Sequence, residues 1–65
     1  MENVKLNVRA LAAMLKVSIE ELAKMADIEP NHLKSVSSGR TTMTARDLIQ
    51  LASVTGVSVH NIEVN

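Results

Sequence analysis

The sequence contains no cysteine, tryptophan, tyrosine or phenylalanine. The lack of cysteine excludes a disulfide and a thiolate metal site, so neither kind of cross-link stabilises this chain of 65 residues. The lack of aromatic residues means that the core must be built from Leu, Ile, Val, Ala and Met, which suits tightly packed short helices. Because a single domain of this size has a small core, we expect a dimer or a larger parent protein to complete it.

Long apolar runs and net charge are also missing. No run approaches the roughly 18 residues of a membrane span, and the longest candidate, 8–17, is interrupted by Arg9. It is followed by no signal-peptide cleavage pattern. We therefore expect a soluble, unprocessed, cytoplasmic protein with no membrane partner. Seven basic and seven acidic residues cancel, so the total charge gives no indication of a nucleic-acid partner.

The charges are nevertheless unevenly distributed along the chain. Between residues 3 and 19 every charged residue is basic, and between 20 and 29 most are acidic. Between 30 and 46 the charged residues are again only basic: Lys34, Arg40 and Arg46. A neutral chain can thus present one basic face, although a solvated surface with chance clustering accounts for the composition equally well.

A short pattern beginning with Leu-Ala occurs three times, at 11–22, 22–33 and 51–62. In each copy a Met or Val follows, then a residue suited to ending a helix, an apolar residue, a possible cap and a closing Leu or Ile. The period is too short and too irregular for a solenoid. We interpret the pattern as a local rule for ending one helix and starting the next.

Helix starts carry the clearest signals. Ser18 and Glu21 form a Ser-x-x-Glu capping box, and Val17 and Leu22 have the spacing of a hydrophobic staple around it. Equivalent staples surround four further cap positions: Asn7, Glu29, Thr44 and Ser58. Five staples predict five helices, at about 8–15, 19–26, 30–37, 45–55 and 59–64. The predicted fold is therefore all-α, a compact five-helix domain.

Helix ends agree with these starts. Gly56 is the expected left-handed residue after a helix, and Lys16 and Asp27 occupy the equivalent places in the other two copies. The segment 37–42, "SSGRTT", has the only loop-like composition. The weak alternation near the C-terminus that would favour a strand is opposed by the cap at Ser58.

Each repeat could form a helix-turn-helix. The third has no chain beyond its second helix to support it, and the first would point Glu20 and Glu21 towards phosphates. Only the middle one has a second helix, 30–37, that is free of acidic residues, with a loop to Arg40 after it. The predicted helix-turn-helix therefore spans about 19–37.

The order of these elements resembles the lambda-repressor-like family, which includes the phage repressors and Cro. The segments "IEELAKMADIEPNHLKSVSSGR" (19–40) and "LIQLASVTGVSVHNI" (48–62) carry the resemblance, which covers nearly the whole chain. It implies a single domain, 1–65, that acts as a sequence-specific DNA-binding transcriptional regulator of the repressor type. Such proteins bind a palindromic operator in double-stranded DNA as a homodimer, with the second helix, here 30–37, in the major groove.

The resemblance also implies which residues contact DNA. The base contacts would come from the exposed start and outer face of the second helix: Asn31, His32, Lys34 and Ser35, with an apolar contact from Pro30. The sugar-phosphate contacts would come from the following loop and the next helix: Ser38, Gly39, Arg40, Thr41, Thr42 and Arg46. Asn31 is the best base reader, because a carboxamide can pair bidentately with adenine N6 and N7.

Three departures from the family pattern weaken the expectation of DNA binding, whereas a fourth, the loss of an Arg–Glu pair at Ala12 and Ser37, leaves no buried charge unpaired. Ile19 replaces a phosphate-binding Gln, Asp27 replaces a turn glycine, and Glu29 replaces a small cap beside the reading edge. They motivate an alternative, in which the chain is a protein-interaction module that keeps the fold without strong DNA binding. Its contact surface would lie around Ile19, or around Val59 and Val64.

Enzymatic and metal-binding hypotheses have little support. His32 and Ser35 lie one helical turn apart without a third catalytic group, and His60 and Glu63 supply only two possible metal ligands. We therefore predict neither an enzyme nor a protein with a metal or cofactor. Met14 and Met25, at matching repeat positions, are predicted to fill the core.

Overall fold

The computed structural model describes residues 5–64, which form four α-helices and one short 3-10 helix. The elements in chain order are α1 (Val8–Leu15), α2 (Ile19–Met25), α3 (Pro30–Ser37), α4 (Ala45–Thr55) and the 3-10 helix (Val59–Asn61). This part of the chain contains no strand, so the predicted all-α class is confirmed. None of these helices is both long and apolar enough to cross a membrane.

Each α-helix begins where its cap signal predicts. Asn7, Ser18 and Thr44 accept hydrogen bonds from backbone N–H groups three residues later, and Ser18 and Thr44 belong to complete capping boxes. The predicted bounds of α1, α3 and α4 are confirmed. The second helix ends one residue before the prediction, because Ala26 already leaves helical geometry at φ −91° and ψ 1°.

Left-handed residues end α1, α2 and α4. Lys16 and Asp27 have φ values of 59° and 58°, as their repeat positions predict, and Gly56 has 77°. After α2, the N–H of Asp27 donates to the carbonyl of Lys24 at 3.3 Å and that of Ile28 donates to the carbonyl of Ala23 at 2.8 Å. This hydrogen-bond pair is a Schellman motif, and it forms the turn between α2 and α3.

The predicted fifth helix, 59–64, is wrong beyond its first turn. The 3-10 helix ends at Asn61, and the chain then runs extended, with a parallel bridge between Leu6 and Ile62. The Leu6 N–H donates to the Asn61 carbonyl at 2.8 Å, and the Met43 N–H donates to the Val64 carbonyl at 2.9 Å. The extended path prevails because it supplies these partners to two other segments and buries Ile62 to 2% exposure, which a short terminal helix would not do.

The core contains one completely buried leucine from each α-helix: Leu11, Leu22, Leu33 and Leu51. Met14 and Met25, predicted to fill it, are instead 48% and 51% exposed. In both helices the residue that follows the methionine packs on the core in its place, Leu15 in α1 and Ala26 after α2.

Candidate nucleic-acid interface

The outer face of α3 and the loop after it line one open depression of about 410 Å³. Its lining residues are Asn31, Lys34, Ser35, Ser38 and Arg40. All five belong to the predicted DNA contacts, three to bases and two to phosphates. The structure therefore brings half of the ten predicted residues to a single concave surface, on the side of α3 that Leu33 and Val36 leave free by facing the core.

Local chemistry determines where α3 begins and ends. Pro30 occupies the first helical turn, and Glu29 caps the helix by accepting a hydrogen bond from the N–H of His32 at 3.0 Å. At the other end Gly39 has φ 84°, and the Arg40 N–H donates to the Ser35 carbonyl at 2.9 Å. This left-handed turn brings Arg40 back beside the C-terminal half of α3.

The ring of His32 lies against α4, outside the depression. Its Nε2 atom is 2.5 Å from Oδ2 of Asp47, and its side chain is only one-third exposed. The base contact predicted for His32 stays a prediction. Its Nε2 atom already has a partner within the protein, the carboxylate of Asp47. Asp47 was not predicted to be part of the site, because nothing in the sequence pairs two residues that lie 15 positions apart.

Asp47 is a buried charged residue, 7% exposed, near the N-terminus of α4. Burial raises the pKa of its carboxyl, but hydrogen bonds from the Thr44 N–H, from the His32 ring and from the Thr44 side chain lower it more. The net result is a pKa below the ordinary 3.8, so that Asp47 is a carboxylate at neutral pH. It can therefore hold the imidazole by a charge-assisted hydrogen bond.

A second contact joins α4 to the helix-turn-helix. Nε2 of Gln50 donates to the carbonyls of Ala26 and Asp27, the latter at 3.2 Å, in the turn after α2. Oε1 of the same side chain accepts a hydrogen bond from Nε of Arg46 at 2.6 Å. Sequence reasoning missed Gln50, because the carbonyls that it contacts lie more than 20 residues away. Arg46 is exposed and lies outside the depression, as do Gly39, Thr41 and Thr42.

One acidic side chain, that of Glu20, lies close to a cation of the depression. Oε1 of Glu20, in the first turn of α2, lies 3.8 Å from Nζ of Lys34, and both side chains are 53% exposed. An exposed pair at this distance contributes about 0–1 kcal/mol, so a phosphate can replace the carboxylate.

The apolar residues proposed as a contact surface in the alternative hypothesis differ in how exposed they are. Ile19 is half-buried and packs against the core, so it does not form a free patch. Val59 is half-buried and Val64 is 42% exposed. Ile49 on α4, which the sequence did not single out, is 62% exposed and is the most exposed large apolar residue in the described part of the chain.

Comparison with protein-family models, with curated proteins and with solved structures found no match for this chain. Within residues 5–64, no group of three or more His, Asp or Glu side chains is placed to hold a metal ion. The depression along α3 and the contacts that hold it are therefore the features of this chain that bear on its function.

Proposed function

We propose that this chain is a sequence-specific DNA-binding transcriptional regulator, or the DNA-binding domain of one. In this proposal it is a lambda-repressor-like domain whose fifth helix is reduced to a 3-10 turn, and α3 enters the major groove. The observation that carries the proposal is the common depression that Asn31, Lys34, Ser35, Ser38 and Arg40 line. It combines a carboxamide, two hydroxyls and two cations along the outer face of α3 and its loop, the chemistry that reads base edges next to phosphates.

The reading residues have distinct capacities. Asn31, exposed in the first turn of α3, can pair bidentately with adenine through its carboxamide. Lys34, one turn further, can donate to guanine or meet a phosphate. Ser35 is half-buried and short, so it contributes adaptable but weak discrimination. We therefore expect the operator half-site to contain an adenine opposite the start of α3.

Phosphate contacts come from the loop and from α4. Arg40 and Arg46 are exposed cations, and Ser38, Thr41 and Thr42 are exposed in the same loop as Arg40. The Ser38 hydroxyl donates to the Ser35 carbonyl at 3.2 Å in the free chain and turns away from it to bind a phosphate. Opening a phosphate site at Arg46 costs little, because its polar partner among residues 5–64 is the neutral amide of Gln50. A palindromic operator bound by two copies would double these contacts.

Two carboxylates limit the affinity of a single copy. Glu29 occupies the N-terminus of α3, where it accepts the His32 N–H, so this helix end is not free to bind a phosphate. Glu20 competes with DNA for Lys34. We expect modest affinity for one copy and useful affinity for a dimer on the operator.

The decisive experiment has two stages. A pool of random duplexes is selected against the purified chain, and binding of the recovered sequence is measured at several salt concentrations. Phosphate contacts by Lys34, Arg40 and Arg46 predict a slope of log K against log salt of roughly −2.5 to −3 per protomer. A flat slope, or no binding at low salt, would rule out this function.

The second candidate function is a protein-interaction module, for which Ile49, 62% exposed on α4, is one apolar residue available for contact. A half-buried Ile19 makes Ile19→Lys a test of folding as much as of binding, so Ile49→Lys is the better variant. Loss of a captured protein partner with Ile49→Lys, in a chain that binds no DNA, would establish this alternative. Retained DNA binding by the same variant supports the first function.

A further inference from the structure

Two side chains on one face of α4 contact the helix-turn-helix at two different points. Asp47 contacts α3 through His32, and Gln50, three residues later, contacts the turn between α2 and α3. Neither Asp47 nor Gln50 lines the depression that Asn31 and Lys34 share. They are therefore placed to act on the helix-turn-helix and not on a ligand in that depression.

The apolar anchors of α3 do not hold both of its ends equally. Leu33 and Val36, which face the core, lie in the middle and near the C-terminus of the helix. In the first turn, the side chain that reaches a different element is His32, through its hydrogen bond to Asp47. His32 is next in sequence to Asn31, the proposed reader, so this contact lies one residue from the reading side chain.

The turn between α2 and α3 is also contacted by a side chain of α4. The carbonyls of Ala26 and Asp27 lie past the end of α2, where helical hydrogen bonds stop, and Asp27 is in the left-handed conformation. The amide of Gln50 supplies donors to both carbonyls and so ties the turn to α4. Together the two contacts join the helix-turn-helix to α4 at the first turn of α3 and at the turn before it.

We propose that Asp47 and Gln50 are positioning residues that hold the reading helix at its binding angle, with His32 as the link to α3, and that none of the three contacts a base. The expected effect on sequence discrimination rests on the proposed DNA-binding function. The contacts themselves can be tested without DNA. Loss of the link loosens the first turn of α3 and reduces the preference for the selected duplex over other DNA.

The test compares His32→Ala with His32→Gln. A glutamine side chain places its Nε2 donor at nearly the same distance from the backbone as histidine does, so it can restore the hydrogen bond to Asp47 without an imidazole. His60→Ala is the matched control, because His60 is an exposed histidine on the 3-10 helix, outside the depression.

The first measurement uses the duplex recovered from random-pool selection and a mixed-sequence duplex of equal length. His32→Ala should lower the ratio of the two affinities roughly ten-fold, since a hydrogen bond to a charged group contributes on that order. His32→Gln should return the ratio to within about three-fold of the unsubstituted chain, and His60→Ala should leave it unchanged. Equal loss in both His32 variants would overturn the proposal, because the imidazole itself would then contact a base. An unchanged ratio in His32→Ala would overturn it as well.

The second measurement is amide hydrogen exchange of the free chain. The amides of Leu33 and Lys34 should exchange roughly ten-fold faster in His32→Ala, with the rate restored in His32→Gln, while the amides of α1 keep their rates. Unchanged exchange in α3 would overturn the positioning role whatever the DNA result. If the exchange changes as expected but the unsubstituted chain binds no duplex, the contact between α4 and α3 stands and the proposed function fails.

Discussion

Oε1 of Glu20 lies 3.8 Å from Nζ of Lys34, which brings a carboxylate of α2 to a cation of the proposed reading helix. In the sequence these residues belong to an acidic segment and a basic segment, and the packing of α2 against α3 brings them together. The pair links the balance of charges in this chain to its proposed affinity for DNA.

Glu20→Gln should raise the affinity for every duplex about two- to five-fold at low salt. It removes a negative charge that both repels phosphates and occupies Lys34, and such a charge interaction is worth about 1 kcal/mol near water. Titrations at low and high salt check the prediction, since the gain should shrink as salt screens it. Glu63→Gln removes an equal charge outside the depression, near the C-terminal end of α3, and should have a smaller effect. Equal gains would contradict a specific role for Glu20.

Asn31→Ala and Arg40→Ala should have different consequences. Asn31→Ala is expected to cost about 1–3 kcal/mol on the selected duplex and little on mixed-sequence DNA, because it removes a base contact. Arg40→Ala is expected to weaken binding to all duplexes and to reduce the salt slope by about 1, because it removes a phosphate contact. Competition titrations at matched salt measure both effects. If neither variant differs from the unsubstituted chain, α3 is not the binding element.

The stability of the fold should decrease in acid because of Asp47. Its pKa is lower in the folded chain than the ordinary 3.8, so folding favours the carboxylate. The resulting stabilisation is complete above the unfolded pKa and is lost as pH falls through the folded pKa. The difference in free energy of unfolding between the unsubstituted chain and Asp47→Asn should therefore shrink as the pH falls below about 5 and through the folded pKa. Urea denaturation at a series of pH values measures it, and a difference that is constant with pH would contradict the assignment.

Ile62→Ala should destabilise the fold by about 2–4 kcal/mol, because it leaves a cavity where a 2%-exposed side chain closes the core. Val64→Ala, at a 42%-exposed position two residues later, should cost less than about 1 kcal/mol. Urea unfolding monitored by far-UV circular dichroism compares the two variants. Similar small costs for both would mean that the extended C-terminal segment does not support the core.

Gln50→Ala should lower the free energy of unfolding by about 1–2 kcal/mol, because two carbonyls in the turn lose their side-chain donor. Ser53→Ala, at an exposed position on the same helix, should not destabilise the fold. The comparison uses thermal or urea unfolding of both variants. A cost for Gln50→Ala no larger than that for Ser53→Ala would show that the turn is held by its own backbone hydrogen bonds.

Sequence reasoning succeeded where the deciding interactions are local. The caps at Asn7, Ser18 and Thr44 and the left-handed residues Lys16 and Asp27 act within three to five residues of themselves. The helices that they delimit were therefore predictable to within one residue. The failure of the last helix has the opposite cause, since Ile62 pairs with Leu6, 56 positions earlier.

The proposed site also has a part that was predictable from the sequence and a part that was not. The outer face of α3 follows from helical periodicity once Leu33 and Val36 are assigned to the core, so Asn31, Lys34 and Ser35 could be grouped from the sequence. The position of the His32 ring could not, because it depends on a carboxylate of α4. The exposure of Met14 and Met25 was also missed, because the face of a short helix that becomes buried depends on the helices packed against it.

The sequence by itself determined four helix starts, three left-handed stops and a second helix without acidic residues in the predicted helix-turn-helix. Capping and backbone conformation act over a few residues, so they are specified by residues that are close together in the sequence. The tertiary structure alone decided that Glu20 reaches Lys34, that Asp47 holds His32, and that Gln50 holds the turn. Those pairings depend on how helices cross, which is determined by the burial of apolar side chains from all four helices at once.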